Sequence, residues 1–428
     1  MNNQGRFPPW LMVLAATQFG ALFVFMNFSG ALPLLQKEWQ LTNGQAGAIQ
    51  SAGQVGYLLA VLALSSLTDY IKSKNLIVWG ALWSGVWNLI FTAWAHDAAS
   101  AIFLRVMIGF GIAGIYMPGV KLISHQIHAS KRGSAMGFFV ASFTLGTAVS
   151  IAIGGNLSAS LGWHTAFQLT SIGPMLGALL SWRFLPLEKD VIHTSENTQS
   201  MLGVLKNRTV FLVILLYMAH AWEVLGLRNW MSAYLTATKT ATGFSLNQAT
   251  MIGSSTAGMA IVVAALATAS VAAISDRFSR TKTIIFVLLL GFFSVFGLGF
   301  TLNSPWIVIV TVSMIASFLS NADSAIISTM LTEIVPSRYL GRTLAVYSFF
   351  GFLAGSISPY VFGKTLDVAI AIGPKNNILT TTPWQWAFLT LAAGSLIGGI
   401  FALLLHRRLA IQYTNKIEKG ETNDRIKI

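Results

Sequence analysis

Twelve apolar stretches, each about 20 residues or longer, follow one another along this 428-residue chain. An α-helix needs roughly 20 apolar residues to cross a bilayer, so stretches of this length predict membrane-spanning helices. The first stretch exceeds the core of about 7–15 residues of a cleavable signal peptide, which indicates a retained helix. The stretches cover residues 10–35, 45–67, 75–95, 99–124, 134–159, 163–185, 208–235, 247–273, 283–302, 305–333, 342–362 and 384–405. They predict an all-α polytopic membrane protein with twelve transmembrane helices.

The composition supports this class and excludes others. Hydrophobic residues make up 54% of the chain and charged residues only 10%, whereas soluble domains have about 25% charged residues. The net charge of +13 is scattered over short loops, which argues against a nucleic-acid partner. Cysteine is absent, which excludes disulfides, a cysteine zinc site and a thiol nucleophile. We expect no enzyme activity, cofactor or metal.

The chain is predicted to contain two halves of six helices. The only long polar connection, residues 186–207, separates the halves 1–185 and 208–406 and is interpreted as a cytoplasmic linker; residues 407–428 are interpreted as a disordered cytoplasmic tail. A repeat of about half the chain length indicates a duplicated domain. At an offset of 221 residues, one set of four residues matches another: Trp163, Phe167, Gly173 and Gly177 match Trp384, Phe388, Gly394 and Gly398.

Lysine and arginine predict the orientation in the membrane. Twenty of them fall in loops on one side and four in loops on the other. Cytoplasmic loops carry the excess of these residues. Both termini are therefore predicted to lie in the cytoplasm and the protein in the cell (inner) membrane.

Two short basic turns carry an aspartate at equivalent places. Ser270–Lys282 contains Asp276, Arg277 and Arg280, and Ser65–Lys74 contains Asp69 and Lys74, with Tyr70 and Lys72 at positions where the first turn departs from the pattern. Both turns resemble the loop signature Gly-x-Leu-Ala-Asp-Arg-x-Gly-Arg-Lys of the major facilitator superfamily. This resemblance implies two six-helix halves with a solute site near the membrane midplane, lined by helices one, four, seven and ten.

The same resemblance implies a gating role for the two turns, through Asp69, Lys74, Asp276, Arg277 and Arg280. In the family, each aspartate lies against a helix N-terminus of the opposite half, where the partial positive charge attracts a carboxylate. We expect this contact to latch the cytoplasmic side shut. The alternative is an ordinary charged loop that only fixes the topology.

Three ionisable residues within apolar stretches are the main candidates for a solute site. Arg105, Glu223 and Asp323 fall on helices four, seven and ten, where a central charge costs roughly 2.5–3.5 kcal/mol and usually serves a function. Arg228 is placed near the outer surface and discounted. Further polar candidates are Tyr116 on the face of Arg105, His220 three residues before Glu223, and Gln18 and Asn27 on helix one.

These residues predict a secondary active transporter that takes up a small organic anion with a proton. Arg105 would attract the anion, and Glu223, ahead of Asp323, would carry the proton because His220 can hydrogen-bond its carboxyl group. Asp323 is interpreted as a buried group satisfied by Asn321 and Ser320.

Two alternatives remain open at this stage. One is a proton-coupled efflux antiporter for cationic or amphipathic compounds. Its signature Gly-x-x-x-Gly-Pro-x-x-Gly-Gly resembles Gly146–Gly155, where Ser150 and Ile151 replace the central Gly-Pro. The other alternative is a solute receptor that does not transport. The expected partners are a small-molecule substrate, protons and the lipid bilayer, and the expected state is a monomer.

Overall fold

The structure, a computed structural model, describes residues 7–67, 71–187, 201–372 and 381–418. All the regular elements in these ranges are helices, with no strand among them. Eleven spans in this part of the chain are long and apolar enough to cross a membrane. The helix Trp163–Phe184, which is 22 residues long, is the twelfth predicted span. The predicted all-α fold with twelve transmembrane helices is confirmed.

The helices follow the apolar stretches closely. In chain order they are α1 (Pro9–Ala21), α2 (Asn27–Glu38), α3 (Asn43–Leu67), α4 (Ser73–Trp94), α5 (Ala98–Gln126), α6 (Ala129–Leu161), α7 (Trp163–Phe184), α8 (Met201–Lys206), α9 (Arg208–Ala241), α10 (Leu246–Ser275), α11 (Arg280–Leu298), α12 (Trp306–Ala322), α13 (Ser324–Ile334), α14 (Ser337–Ile372) and α15 (Thr381–Glu418).

Two of the predicted spans are interrupted. The first consists of α1, a 3₁₀ turn at Leu22–Val24, and α2. The tenth is divided between α12 and α13 at Asp323, which ends one helix and precedes the next. An interruption inside a membrane leaves backbone groups that water cannot satisfy, so it is tolerated only where protein groups bind them. Both interruptions therefore mark places where polar side chains are needed.

The last helix is longer than predicted. Residues from 407 onward were predicted to form a disordered tail, but α15 continues to Glu418, so this prediction is wrong for the first part of the segment. Within this segment, the Nε of Arg408 donates a hydrogen bond to the Thr209 hydroxyl of α9 over 3.0 Å. Residues 419–428 lie outside the described part of the chain.

The start of α5 is fixed by a capping box. The backbone N–H of Ser100 donates to the Asp97 carboxylate over 2.8 Å, and the N–H of Asp97 donates to the Ser100 hydroxyl over 3.2 Å. Hydrogen bonds from the Ser100 side chain and backbone lower the pKa of Asp97. A reciprocal cap of this kind satisfies two of the helix's orphan donors. It fixes the register of α5, on which Arg105 lies.

Glycines allow α3 and α5 to pack backbone to backbone. A Cβ at Gly56 would overlap the carbonyl oxygen of Val106, and one at Gly109 would overlap the carbonyl oxygen of Gly53. Small residues at such contacts are typical of membrane helix packing, since close approach maximises van der Waals contact. Gly109 is therefore a packing residue between α3 and α5.

We expect Gly109→Ala to destabilise the protein by about 1–3 kcal/mol, because the added methyl group forces two helix backbones apart. Thermal unfolding of the detergent-solubilised protein measures the effect. Gly137→Ala is the matched control, since nothing lies within 4 Å of a Cβ at Gly137. Equal unfolding temperatures for the two variants would contradict the packing interpretation.

The chain forms two compact units. One contains Met1–Ser195 and Asn229–Val262, and the other contains Glu196–Arg228 and Val263–Ile428. The boundary between them falls inside α9, between Arg228 and Asn229. The division into sequence halves at residues 186–207 stays a prediction.

Candidate functional site

A buried histidine–aspartate pair lies at the interruption between α12 and α13. The Nδ1 atom of His220 lies 2.7 Å from Oδ1 of Asp323, and the two side chains are only 6% and 1% exposed. The second carboxylate oxygen, Oδ2, has no hydrogen-bond partner among the described residues. A membrane-buried pair of titratable groups with an unfilled acceptor is a candidate for binding and releasing a proton.

The predicted partner of His220 was wrong. His220 and Glu223 are neighbours along α9, but their side chains meet different helices. Oε2 of Glu223 accepts a hydrogen bond from the Ser395 hydroxyl of α15, and Oε1 would lie 3.7 Å from a Cβ at Gly291 of α11. Two side chains that are three residues apart on a helix point in directions about 60° apart, so they can contact different neighbouring helices.

Arg228, which the sequence interpretation discounted, belongs to the same cluster as Asp323. Its Nη2 donates to Oδ1 of Asn321 over 2.7 Å, two residues before Asp323. Its Nε has no hydrogen-bond partner in the described structure. Arg228 lies eight residues after His220, about 12 Å along the helix. The sequence signal for Arg228 was a charged residue within an apolar stretch. Because α9 continues to Ala241, Arg228 lies further from the end of the helix than the sequence predicted.

The expected partners of Asp323 were also wrong. Asn321 binds Arg228 and donates from Nδ2 to the carbonyl oxygen of Ser317 over 3.2 Å. The Ser320 hydroxyl donates to the same carbonyl over 3.1 Å. These hydrogen bonds satisfy a backbone carbonyl group near the end of α12. The Asp323 carboxylate pairs with His220 instead.

Two stacked tyrosines stand beside this cluster. The rings of Tyr217 and Tyr347 are 3.8 Å apart at an angle of 14°, and Tyr217 also stacks on His220 at 5.7 Å. A Cβ at Gly351 would overlap the Tyr217 ring, so glycine is required there. The aromatic contacts restrict the His220 ring to the orientation that faces Asp323.

Arg105 lies at the other interruption, in the first membrane span. Its Nη1 donates to the carbonyl oxygen of Val24 over 2.9 Å, and its Nη2 donates to the carbonyl oxygen of Phe25. Nη1 is also 3.4 Å from Oδ1 of Asn27. These contacts satisfy backbone groups released where α1 ends. The predicted attraction of an anion by Arg105 stays a prediction, but in this conformation both Nη atoms are engaged by the helix.

Ser150 supports the same interruption from α6. Its hydroxyl donates to the carbonyl oxygen of Phe23 over 2.9 Å and accepts from the backbone N–H of Met26 over 3.2 Å. This residue stands where the antiporter signature has its central glycine. A serine there supplies two hydrogen bonds that glycine cannot make.

The remaining polar candidates of helices one and four have separate surroundings. Asn27 donates from Nδ2 to Asn88 and Thr170, both over 3.2 Å. Gln18 is fully buried, and neither side-chain amide atom has a partner among the described residues. Tyr116 stacks on Phe139 at 5.7 Å, so the structure does not bring it to Arg105.

The predicted gating residues are partly visible. Asp69 lies outside the described residues. Lys74 donates from Nζ to the carbonyl oxygen of Leu185 over 2.8 Å. Arg280 lies 3.3 Å from Asp276 and 2.7 Å from Glu333, and Arg277 is exposed in the same turn. The Arg280 side chain is 12% exposed, and both ion pairs lie within one part of the chain, so the latch itself stays a prediction.

A multi-pass helical membrane protein with ionisable groups at two interrupted spans is the class that these observations define. The family model described as Major Facilitator Superfamily matches residues 14–359 and 230–425. The chain belongs to this family. The resemblance inferred from the aspartate turns is thereby confirmed.

Individual relatives are distant. The chain is 23% identical to the "Probable sulfoacetate transporter SauU" of Cupriavidus necator, over 83% of this chain and 86% of that protein. It is 25% identical to the 3-(3-hydroxy-phenyl)propionate transporter of Escherichia coli K12, over 47% of this chain and 50% of that protein. Several other curated relatives also match over only about half their length, 40–53%.

A solved structure supports the fold. It is a bacterial homolog to the human lysosomal transporter Spinster in an inward-facing and occupied conformation. Its TM-score is 0.76 at 15% identity, with 94% of this chain and 98% of that chain covered. At this identity the likeness shows the fold alone.

Proposed function

We propose that the protein is a secondary active transporter that takes up a small organic anion together with a proton. The observation that carries the proposal is the cluster on α9 and α12. Arg228 binds Asn321 over 2.7 Å and keeps an Nε donor without a partner among the described residues. Asp323, two residues after Asn321, pairs with His220 of α9 over 2.7 Å. One cluster thus offers a cation for an anionic solute and a pair that exchanges a proton.

Charge balance explains why the two ligands would be taken up together. The anion offsets the charge of Arg228, and the proton offsets the charge of Asp323. A charge at the membrane centre costs roughly 2.5–3.5 kcal/mol even on the lenient insertion scale. Loading both ligands therefore leaves the cluster with fewer uncompensated charges than loading either one.

The assignment moves the anion-binding role from Arg105 to Arg228. Both Nη atoms of Arg105 are engaged by carbonyl oxygens, and a solute would have to displace these bonds. The Nε atoms of both arginines lack a partner among the described residues, but Arg228 is only partly buried, whereas Arg105 is 2% exposed. Guanidinium groups bind carboxylates and sulfonates with two parallel hydrogen bonds, so a remaining Nε donor is chemically useful.

The relatives' names support the solute class. Sulfoacetate and 3-(3-hydroxyphenyl)propionate are both small organic anions, named for proteins 23% and 25% identical to this chain. The lysine and arginine distribution further supports a cell-membrane location with both termini in the cytoplasm.

Transport into proteoliposomes tests the proposal. Purified protein is reconstituted, and labelled sulfoacetate or 3-(3-hydroxyphenyl)propionate is supplied outside at a pH one unit below the interior. We expect accumulation that a protonophore abolishes and that protein-free liposomes do not show. Extrusion of cationic compounds against the gradient, without anion uptake, would instead favour the antiporter.

A further inference from the structure

The C-terminal part of α9 is tied to the first two membrane spans by one residue, Asn229. The hydroxyl of Ser29, on α2, donates to Oδ1 of Asn229 over 3.0 Å. The Nε2 of Gln50, on α3, donates to the backbone oxygen of Asn229 over 2.8 Å. All three residues are almost fully buried, with at most 1% of each exposed. Three spans are thus joined at a single buried point.

The three residues lie on the side of the membrane opposite the predicted cytoplasmic termini. Gln50 is seven residues from the start of α3, Ser29 is nine from the end of α2, and Asn229 is twelve from the end of α9. At 1.5 Å per residue these separations are about 10–18 Å. The contacts are therefore inside the membrane rather than in the loops.

A second layer of contacts closes the same side nearer the surface. Nδ2 of Asn156, on α6, donates to the Ser255 hydroxyl on α10 over 2.8 Å. Nδ2 of Asn247 donates to the carbonyl oxygen of Ala159 over 2.8 Å. A Cβ at Gly155 would overlap Ser254. Hydrogen bonds at two depths therefore join helices on this side of the membrane.

We propose that Asn229, with Ser29 and Gln50, is the lock that holds this side closed and must open for solute to enter from outside. Asn229 is a positioning residue in this role. Its neighbour Arg228, which contacts Asn321 on another helix, is the proposed anion-binding group. Two consecutive residues of α9 thus have the two proposed roles: Arg228 binds the solute, and Asn229 keeps this side closed. The polar lock suits repeated opening, because each hydrogen bond can be exchanged for one to water when the side opens.

Cysteine accessibility tests the lock without any solute. The chain contains no cysteine, so Ser254→Cys introduces a single reporter at a fully buried position. A membrane-impermeant maleimide is added to the outside of oriented vesicles. We expect Asn229→Ala to raise the labelling rate about fivefold, since losing one buried hydrogen bond shifts a two-state equilibrium by about that factor. Ser29→Ala should give a similar rise, and the double variant should add little to either.

Thr238→Ala is the matched control. Thr238 is buried on the same helix and its hydroxyl donates only to the local carbonyl oxygen of Leu235, over 2.7 Å. Labelling of this variant should equal that of the parent. Unchanged labelling in both Asn229→Ala and Ser29→Ala, or an equal rise in Thr238→Ala, would overturn the proposal.

A transport measurement adds a readout that rests on the proposed function. Asn229→Ala should lower KM for external solute two- to fivefold, because more of the protein is open to the outside, and should lower kcat, because closing becomes harder. An equal KM with lowered kcat would contradict the lock. If no organic anion is transported by the parent, the labelling result still decides the lock, so failure of either proposal is recognised separately.

Discussion

Replacing Asp323 with asparagine is expected to abolish accumulation of solute against a gradient while solute exchange continues. Asparagine keeps the shape and an oxygen acceptor for His220, whose Nδ1 lies 2.7 Å from the carboxylate, but it cannot carry a proton. With one proton per monovalent anion, one pH unit supports about tenfold accumulation in the parent. The variant should stay near onefold. Uptake and counterflow assays in proteoliposomes measure both properties.

Glu223→Gln is the matched comparison, since it removes the other buried carboxyl group on the lining helices. Glu223 bonds Ser395 and not His220, so this variant is expected to keep most of its accumulation. The sequence alone favoured the opposite ranking. If Glu223→Gln lost accumulation and Asp323→Asn kept it, Glu223 rather than Asp323 would be the residue that carries the proton.

Replacing Arg228 with glutamine is expected to weaken solute binding about 10- to 100-fold. Hydrogen bonds to charged groups contribute about 1.5–3 kcal/mol, and each 1.4 kcal/mol is a factor of ten in affinity. Arg228→Lys should lie between the parent and Arg228→Gln, because lysine keeps the charge but loses the planar fork. Solute-induced thermal shifts and calorimetric titration with the accumulated anion give the affinities.

Arg105→Gln separates binding from folding. Arg105 satisfies the carbonyl oxygens of Val24 and Phe25, and a buried acceptor without a partner costs about 1–3 kcal/mol. This variant should unfold at a lower temperature yet bind solute nearly as the parent does. Arg183→Gln, at an exposed position, should change neither property. A larger affinity loss in Arg105→Gln than in Arg228→Gln would restore the anion-binding role predicted from the sequence.

The helix interruptions show where sequence patterns reach their limit. Residues 10–35 and 305–333 read as uniform apolar stretches, yet the first contains a 3₁₀ turn at Leu22–Val24 and the tenth is divided at Asp323. No proline or glycine pair marks either break. The groups that stabilise the first break, Arg105 and Ser150, come from other helices. An interruption supported from a distance leaves little trace in the local sequence.

The candidate site was found in part. Arg105, Glu223 and Asp323 were singled out because a charge in an apolar stretch is costly wherever that stretch lies in the membrane. The pairings were not found. Spacing along α9 favoured His220 with Glu223, whereas the chosen partner is Asp323, 103 residues away. Arg228 was discounted because the end of its helix was placed six residues too early.

The sequence by itself determined the membrane class, the number of helices and the family, because apolar length and loop motifs are local properties that any fold must accommodate. Only the tertiary structure decided which polar groups meet. Arg228 reaches Asn321 across 93 residues, and Ser29 reaches Asn229 across 200. Side chains of one helix diverge by 100° per residue, so a small rotation of the helix changes every partner. Packing against neighbouring helices sets that rotation, and it involves the whole unit rather than any single stretch.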